Sequence, residues 1–586
     1  MVLSNSNDLP QNAIGKSISR RAVLKSAVIG TGALMSGSLL AACASTASDD
    51  DAEPTARAED DLIEDPDVAD DEPMDQEDDD DSLADSAAPD DDDATGERPE
   101  LVVGVQGLPE TLDPYQHLSN VGTRVTYSLF DHLLERQFED GDPPGTGSGI
   151  GPMLAESWER IDDLTLEMQL REDVLFHDGT VLTAEDVKFT FERSLFDTPE
   201  EMLDAEGYVS TISEIEIIDD YTIRFHTHEP DPLLEIRLTS WATWILPKAY
   251  YESVGIEGFA LDPIGTGPYR FVEIQPDNHL VLEAFDHYWG GLPPASRVTF
   301  RVIPEVSTRV AAIVSGEVDI VTNIPPDHVG QLEDADGVRV QTVPLANVHL
   351  LRYNVNHPPL DDRALRQAMN LAIDRELLVE TLWSGMADVP RGHQFPEYGD
   401  MYNPDRPIPE YDPERARELV AESDYDGEPI VFRVSPFYYT NGIESAQAII
   451  EMWNAIGLNA EVEVRDNPYD EGPEAIMVTN WSNSSFVADP DGALWLRWGE
   501  DYPGTKEFFW EPEDERFYEL GAEARTTLDQ EFRYEAYQTM LDIWEEEAPG
   551  TVLYIPHEIY GVREGIEWQP YSFYYMDLRA HNLSIS

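Results

Sequence analysis

Val298-Thr299-Phe300-Arg301-Val302-Ile303, then Ser307 to Val314, then Gly316 and Val318-Asp319-Ile320-Val321. The first run is rich in β-branched residues and reads as a strand. The second carries apolar residues at helical spacing, with Ser307 as its cap and Gly316 as its stop. The third is a short buried strand. Strand, helix and strand thus follow one another within about 25 residues, the alternation of an α/β chain. The same alternation extends outward on both sides. Val102-Val103-Gly104-Val105 reads as a buried strand, Val121 to Leu134 as a helix, and Thr165 to Leu170 as a half-exposed strand. Thr183 caps a helix with Glu185 and Asp186 in its first turn, and helices are expected over Asp361–Ile373 and Pro413–Ser423. Neither element type forms a long block and no repeat is visible, so the expected class is α/β.

Charge and the N-terminus set the compartment. The chain has 586 residues and a formal net charge of −81. Residues 49–100 hold 26 acids against Arg57 and Arg98, with almost no aromatic or β-branched content. Such a segment cannot bury enough apolar surface to fold and reads as an extended acidic tether. The remainder is acidic too, with Lys188, Lys248 and Lys506 the only lysines beyond Lys25. Molar salt screens a surface of this kind, and an extreme halophile's protein has this composition. Nucleic acid is a poor partner for it. Ahead of the tether, Arg20-Arg21 precede a short apolar stretch that ends in Leu40-Ala41-Ala42-Cys43. Paired arginines mark a twin-arginine export signal, and Leu-Ala-Ala-Cys resembles a lipobox whose cysteine is lipidated. Ala27 to Ala42 is too short to span a bilayer, which takes roughly 20 residues. Cys43 is the only cysteine, so no disulfide within the chain is expected.

Ordered blocks then point to a family. They include Leu112-Asp113-Pro114 and the strongest run, Met153-Leu154-Ala155-Glu156-Ser157-Trp158-Glu159 through Phe176-His177-Asp178-Gly179-Thr180. Further on come Pro263-Ile264-Gly265-Thr266-Gly267-Pro268-Tyr269, Tyr288-Trp289-Gly290-Gly291 and Tyr353-Asn354-Val355-Asn356-His357-Pro358. As a set, from 101 to about 560, the chain resembles the dipeptide/oligopeptide/nickel class (family 5) of extracellular solute-binding proteins of ABC importers, in particular haloarchaeal lipoprotein members. The resemblance implies a two-lobed, periplasmic-binding-protein-like type II fold with an extra domain in the first lobe. The implied organisation is a signal over 1–42, a tether over 43–99, lobe I from 100–135, 250–345 and 556–586, the extra domain over 136–249, and lobe II over 346–555. It implies a monomeric, non-enzymatic receptor, tethered outside the cytoplasmic membrane, that passes a peptide or similar solute to permease and ATPase subunits. An extracellular hydrolase on a similar scaffold and a sensor module are the alternatives.

No catalytic residue, metal or cofactor is expected. Asp178-Gly179, Gly265-Thr266-Gly267 and Asp489-Pro490-Asp491-Gly492 read as turns. By the resemblance, Asn480-Trp481-Ser482-Asn483-Ser484-Ser485-Phe486-Val487-Ala488-Asp489 faces the cleft. Trp481, Ser482, Asn483, Phe486 and Asp489 are therefore candidate ligand contacts, with Asn347 and His349 joining them from near the hinge. Peptide-binding members carry an acid shortly after the tryptophan to hold the ligand's ammonium. Here that place holds Ser482, Asn483 and Ser484, and Asp489 would substitute only if its loop folded back. A neutral, polyhydroxylated or modified-peptide ligand fits these residues as well as a free peptide. Asn480, Asn483 and Asn582 stand in glycosylation sequons, with Asn582 the preferred one.

Overall fold

The computed structural model describes residues 98–116, 120–195, 209–436, 439–500 and 502–586. Arg20, Arg21, Cys43 and the acidic segment up to 97 lie outside the described residues.

The opening unit forms as its sequence dictates. Strand Arg297–Val302, helix Val306–Ser315 and strand Ile320–Val321 follow one another, and Glu100–Val105 lies between the two strands, parallel to both. The helix buries Val310, Ala312 and Ile313 and ends at Gly316, whose φ of 78° is the left-handed geometry that glycine adopts without strain. The residue ahead of the helix is Glu305, without a side-chain cap, rather than Ser307. Arg309 does the stapling instead. Its buried guanidinium donates to the carbonyls of Ile303, Pro304, Thr322 and Asn323 at 2.6–3.1 Å, tying together the C-terminal ends of both strands.

Antiparallel strands His279–Ala284 and Tyr269–Gln275 extend this first sheet. The second lobe is built on parallel strands Pro429–Val434, Asn459–Val464 and Val478–Ser484, with antiparallel Asn347–Tyr353 beside the last. One long strand, Gly550–Arg563, belongs to both lobes. Its first part pairs with Asn347–Tyr353, and its last part pairs with Val338–Pro344 and Ile320–Val321. The chain therefore crosses between lobes at Leu345–Ala346 and again at Ile555–Pro556, where the Leu345 N–H donates to the Pro556 carbonyl at 3.0 Å. A separate four-stranded antiparallel sheet, in the order Ala155–Asp162, Thr165–Leu170, Thr222–Thr227 and Ile212–Asp219, packs under helix Ala184–Leu195. Thr183 and Asp186 close the start of that helix, the carboxylate accepting from the Thr183 N–H at 3.0 Å.

The expected helix over Val121–Leu134 is shorter, Asn120–Leu129, and Leu134 opens a strand. The tight loop at Gly265–Gly267 explains the stop. The Gly267 N–H takes the Leu129 carbonyl at 3.0 Å, and a Cβ on Gly265 would meet that oxygen at 2.0 Å. His177 holds the loop from the other side. Its Nδ1 accepts from the Gly265 N–H at 3.2 Å and its Nε2 donates to the Gly267 carbonyl at 3.0 Å, while burial lowers its pKa to about 4. The two motifs thus form one structural staple.

Candidate functional site

The hinge strands bring the expected site residues to the junction of the lobes, and β alternation then divides them. Asn347 lies opposite Ser484 and His349 opposite Ser482, all on one face of the Asn347–Tyr353/Val478–Ser484 pair. Trp481 and Asn483 fall on the other.

On the first face the polar groups are neutral. Asn347 Nδ2 donates to Ser484 Oγ at 2.7 Å, and its buried Oδ1 has no partner. The Tyr439 hydroxyl donates to Ser482 Oγ at 3.3 Å. His349 is surrounded by Tyr439, Tyr554 and Trp383, with ring centroids 4.8, 5.3 and 6.3 Å away. Burial lowers its pKa to about 3 and keeps it uncharged. A cavity of about 10 Å³ against Asn480, Ser445 and Tyr554 leaves space for little more than one water.

The opposite face is sealed. The Trp481 ring lies under the Arg352 guanidinium at 4.1 Å and against Trp498 at 5.6 Å and Tyr502 at 6.2 Å. Asn483 is fully buried, and its Oδ1 accepts from Trp498 Nε1 at 3.0 Å and His393 Nε2 at 2.7 Å.

The following loop runs into the first lobe. Phe486 lies 6.5 Å from Trp241 and 5.7 Å from Phe573, both on the far side of the junction. Asp489 is buried and accepts from Arg533 Nη2 at 2.9 Å on both oxygens and from the Asp491 N–H at 3.0 Å, so it is not available to a ligand ammonium. Asp491 pairs with Arg237 at 3.0 Å and Arg525 at 2.8 Å, and Arg237 also holds Asp231 at 3.1 Å. Burial would raise the Asp491 pKa, but Arg525 and Arg237 outweigh it and hold the carboxyl below its usual value. Arg237, Trp241 and Phe573 were not legible as site residues. Arg237 is 254 positions from its partner and no local pattern marks it.

This architecture has close counterparts. The model for "Bacterial extracellular solute-binding proteins, family 5 Middle" matches residues 149–511. The chain belongs to this family.

As a family 5 protein it is a binding protein and not an enzyme. It is 28% identical over 490 residues to the dipeptide-binding protein of Escherichia coli K12, covering 77% of this chain and 88% of that one. It is also 28% identical over 410 residues to the glutathione-binding protein GsiB of E. coli O1:K1 / APEC, covering 67% and 76%. Among solved structures, DppA of Helicobacter pylori in complex with the peptide STSA superposes with a TM-score of 0.70 at 24% identity, covering 83% of this chain and 98% of that one. NikZ of Campylobacter jejuni in complex with Ni(L-His) gives 0.69 at 20%, covering 83% and 99%. These two share the fold: two lobes of mixed α/β structure.

Among the described residues one cluster has metal-ligand chemistry, Glu139, Asp577 and His581, with ligand atoms within 4.8 Å of one another. His581 already serves as its cation. Asp577 and Glu139 raise its pKa to about 10, and Arg579 completes the neutralisation of Asp577 at 3.1 Å. Asn582 is buried and its amide nitrogen donates to the Gln569 and Asp577 carbonyls, both at 3.0 Å. A glycan there would replace one of these two N–H groups, and the burial of Asn582 disfavours that sequon. No helix among the described residues is long and apolar enough to cross a membrane.

Proposed function

We propose that this family 5 protein is the extracellular receptor of an ABC importer, capturing a peptide-sized solute between its lobes and handing it to a permease. In this reading the chain keeps the division into lobe I, extra domain and lobe II drawn from the resemblance, with Cys43 as the lipid anchor behind the twin-arginine signal. The observation that carries the reading is the junction itself. Two adjacent chain crossings join the lobes, the connection a hinge needs, and the 485–491 loop of one lobe reaches residues of the other.

The solute contacts proposed are Asn347, Ser482 and Ser484, with His349 and Tyr439 behind them. None carries charge at neutral pH, so the ligand is held by hydrogen bonds and ring faces. A free peptide ammonium finds no carboxylate here, since Asp489 is committed to Arg533. The ligand class that fits is a neutral solute or a peptide with a blocked amine.

Calorimetry in molar KCl with a dipeptide and its N-acetyl form tests this. The wild type is expected to prefer the acetylated peptide, and Ser484→Asp to gain about tenfold for the free one through a charged hydrogen bond. A wild type that binds the free dipeptide far more tightly would overturn the ligand class. Cys43→Ser is expected to move the protein from the membrane fraction to the medium; unchanged retention would remove the lipid anchor.

A further inference from the structure

A second, larger cavity lies at the hinge and is not part of the cleft described above. Its volume is about 230 Å³. Leu345 and Ile555, one from each crossing, form its floor, Asp142 and Thr146 close it from the hairpin loop between Leu134–Gln137 and Gly149–Pro152, and residues 388–402 of the second lobe complete it. A water takes roughly 30 Å³ of liquid, so the space suits a small organic molecule and is far too large for a bare ion.

Its chemistry is acidic. Asp142, Asp388 and Glu397 line it, against the single guanidinium of Arg391, which already donates to the Arg406 carbonyl at 2.7 Å. Asp388 is paired with His557 at 2.9 Å and is largely open to solvent. Glu397 is different. It is only 4% exposed, yet its carboxylate has no ion-pair partner among the described residues. Arg136, Ser572 and Glu397's own N–H pull on its charge, yet Arg136 forms no ion pair with it and Ser572 Oγ is left without a well-formed hydrogen bond. Burial raises the Glu397 pKa, with Arg136 pulling the other way. A buried carboxylate left open toward a cavity costs stability unless something occupies that position.

We propose that the hinge cavity is a second ligand site that takes a small organic cation bearing a primary ammonium, with the nitrogen on Glu397. Arg391 at the same wall disfavours a second cationic centre close to it and leaves Glu397 and Asp388 as the attracting pair. Because the walls come from both lobes and both crossings, a ligand there binds one arrangement of the lobes better than any other. It therefore biases closure by that difference in affinity, whatever solute fills the cleft.

Titration of the intact purified protein with 1,4-diaminobutane, at fixed molar KCl, tests the proposal by calorimetry and by thermal shift. The expected result is a single saturable event with a raised Tm. In Glu397→Gln, an isosteric change, the affinity is expected to fall at least about tenfold. Should that variant fail to fold, Asp388→Asn carries the test with an expected loss of about threefold, since its side chain is exposed and its bond to His557 survives as a neutral one. No saturable binding by the wild type, unchanged affinity in the folded variants, or a response that added KCl reproduces without diaminobutane would each overturn the site.

Discussion

The two faces of the strand pair at the lobe junction use the same few residue types to opposite ends. On one face Trp481, Asn483 and Arg352 are locked into an aromatic block, with Asn483 accepting two hydrogen bonds and Trp481 covered on three sides. On the other, Asn347, Ser482 and Ser484 make one short bond and one long one, and Asn347 Oδ1 has none. Residues adjacent in sequence, Trp481 and Ser482, are thereby assigned opposite work. The pleat separates what must be rigid from what must be ready to exchange partners.

This contrast can be broken at three points. The largest effect belongs to the sealed face. Trp481→Ala is expected to cost about 3–5 kcal/mol of stability, as removal of a large core aromatic does, measured by denaturant unfolding in molar KCl. A stable variant with lost ligand affinity would move the tryptophan to the cleft. Next comes pH. The unfolded value of His349 lies near 6.5 and the folded value near 3, so the unfolded state takes up a proton first as the solution is acidified. Its contribution to stability is complete above about pH 6.5 and fades as the pH falls toward 3. Between pH 7 and 4 the loss attributable to this ring is on the order of 2–3 kcal/mol, and His349→Phe should remove it from the wild-type profile. Identical acid profiles would mean that the ring is solvated. The smallest effect is on the open face. Ser484→Ala should alter stability by less than about 0.5 kcal/mol while weakening solute binding by about tenfold. A stability loss without a change in binding would reverse the roles of the two faces.

What the sequence made legible was local. The strand, helix and strand over Arg297–Val321 could be read because each signal acts within a few residues, and even there the cap proved to be Glu305. The end of the helix at Leu129 could not be read, since it is fixed by Gly265 and Gly267 about 135 positions later. The candidate site shows the same limit. Resemblance found the right stretch of chain, and alternation could have split it into two faces once its neighbour strand was known. That neighbour, Asn347–Tyr353, is more than 130 residues away, and the ion pair of Asp491 with Arg237 spans 254. Turn chemistry was the exception. Asp178, Asp489 and their neighbours form turns through their own backbone N–H groups, and the sequence carries that information.

The strand Gly550–Arg563 also imposes an order of assembly. It lies between Val338–Pro344 and Ile320–Val321 in the first lobe and beside Asn347–Tyr353 in the second, so neither sheet is whole until residue 563 has left the ribosome. Some 450 residues, from the first strand onward, must wait for it with their sheets unfinished. Under the twin-arginine export proposed above, the final strand would be the event that makes the cargo fit to leave.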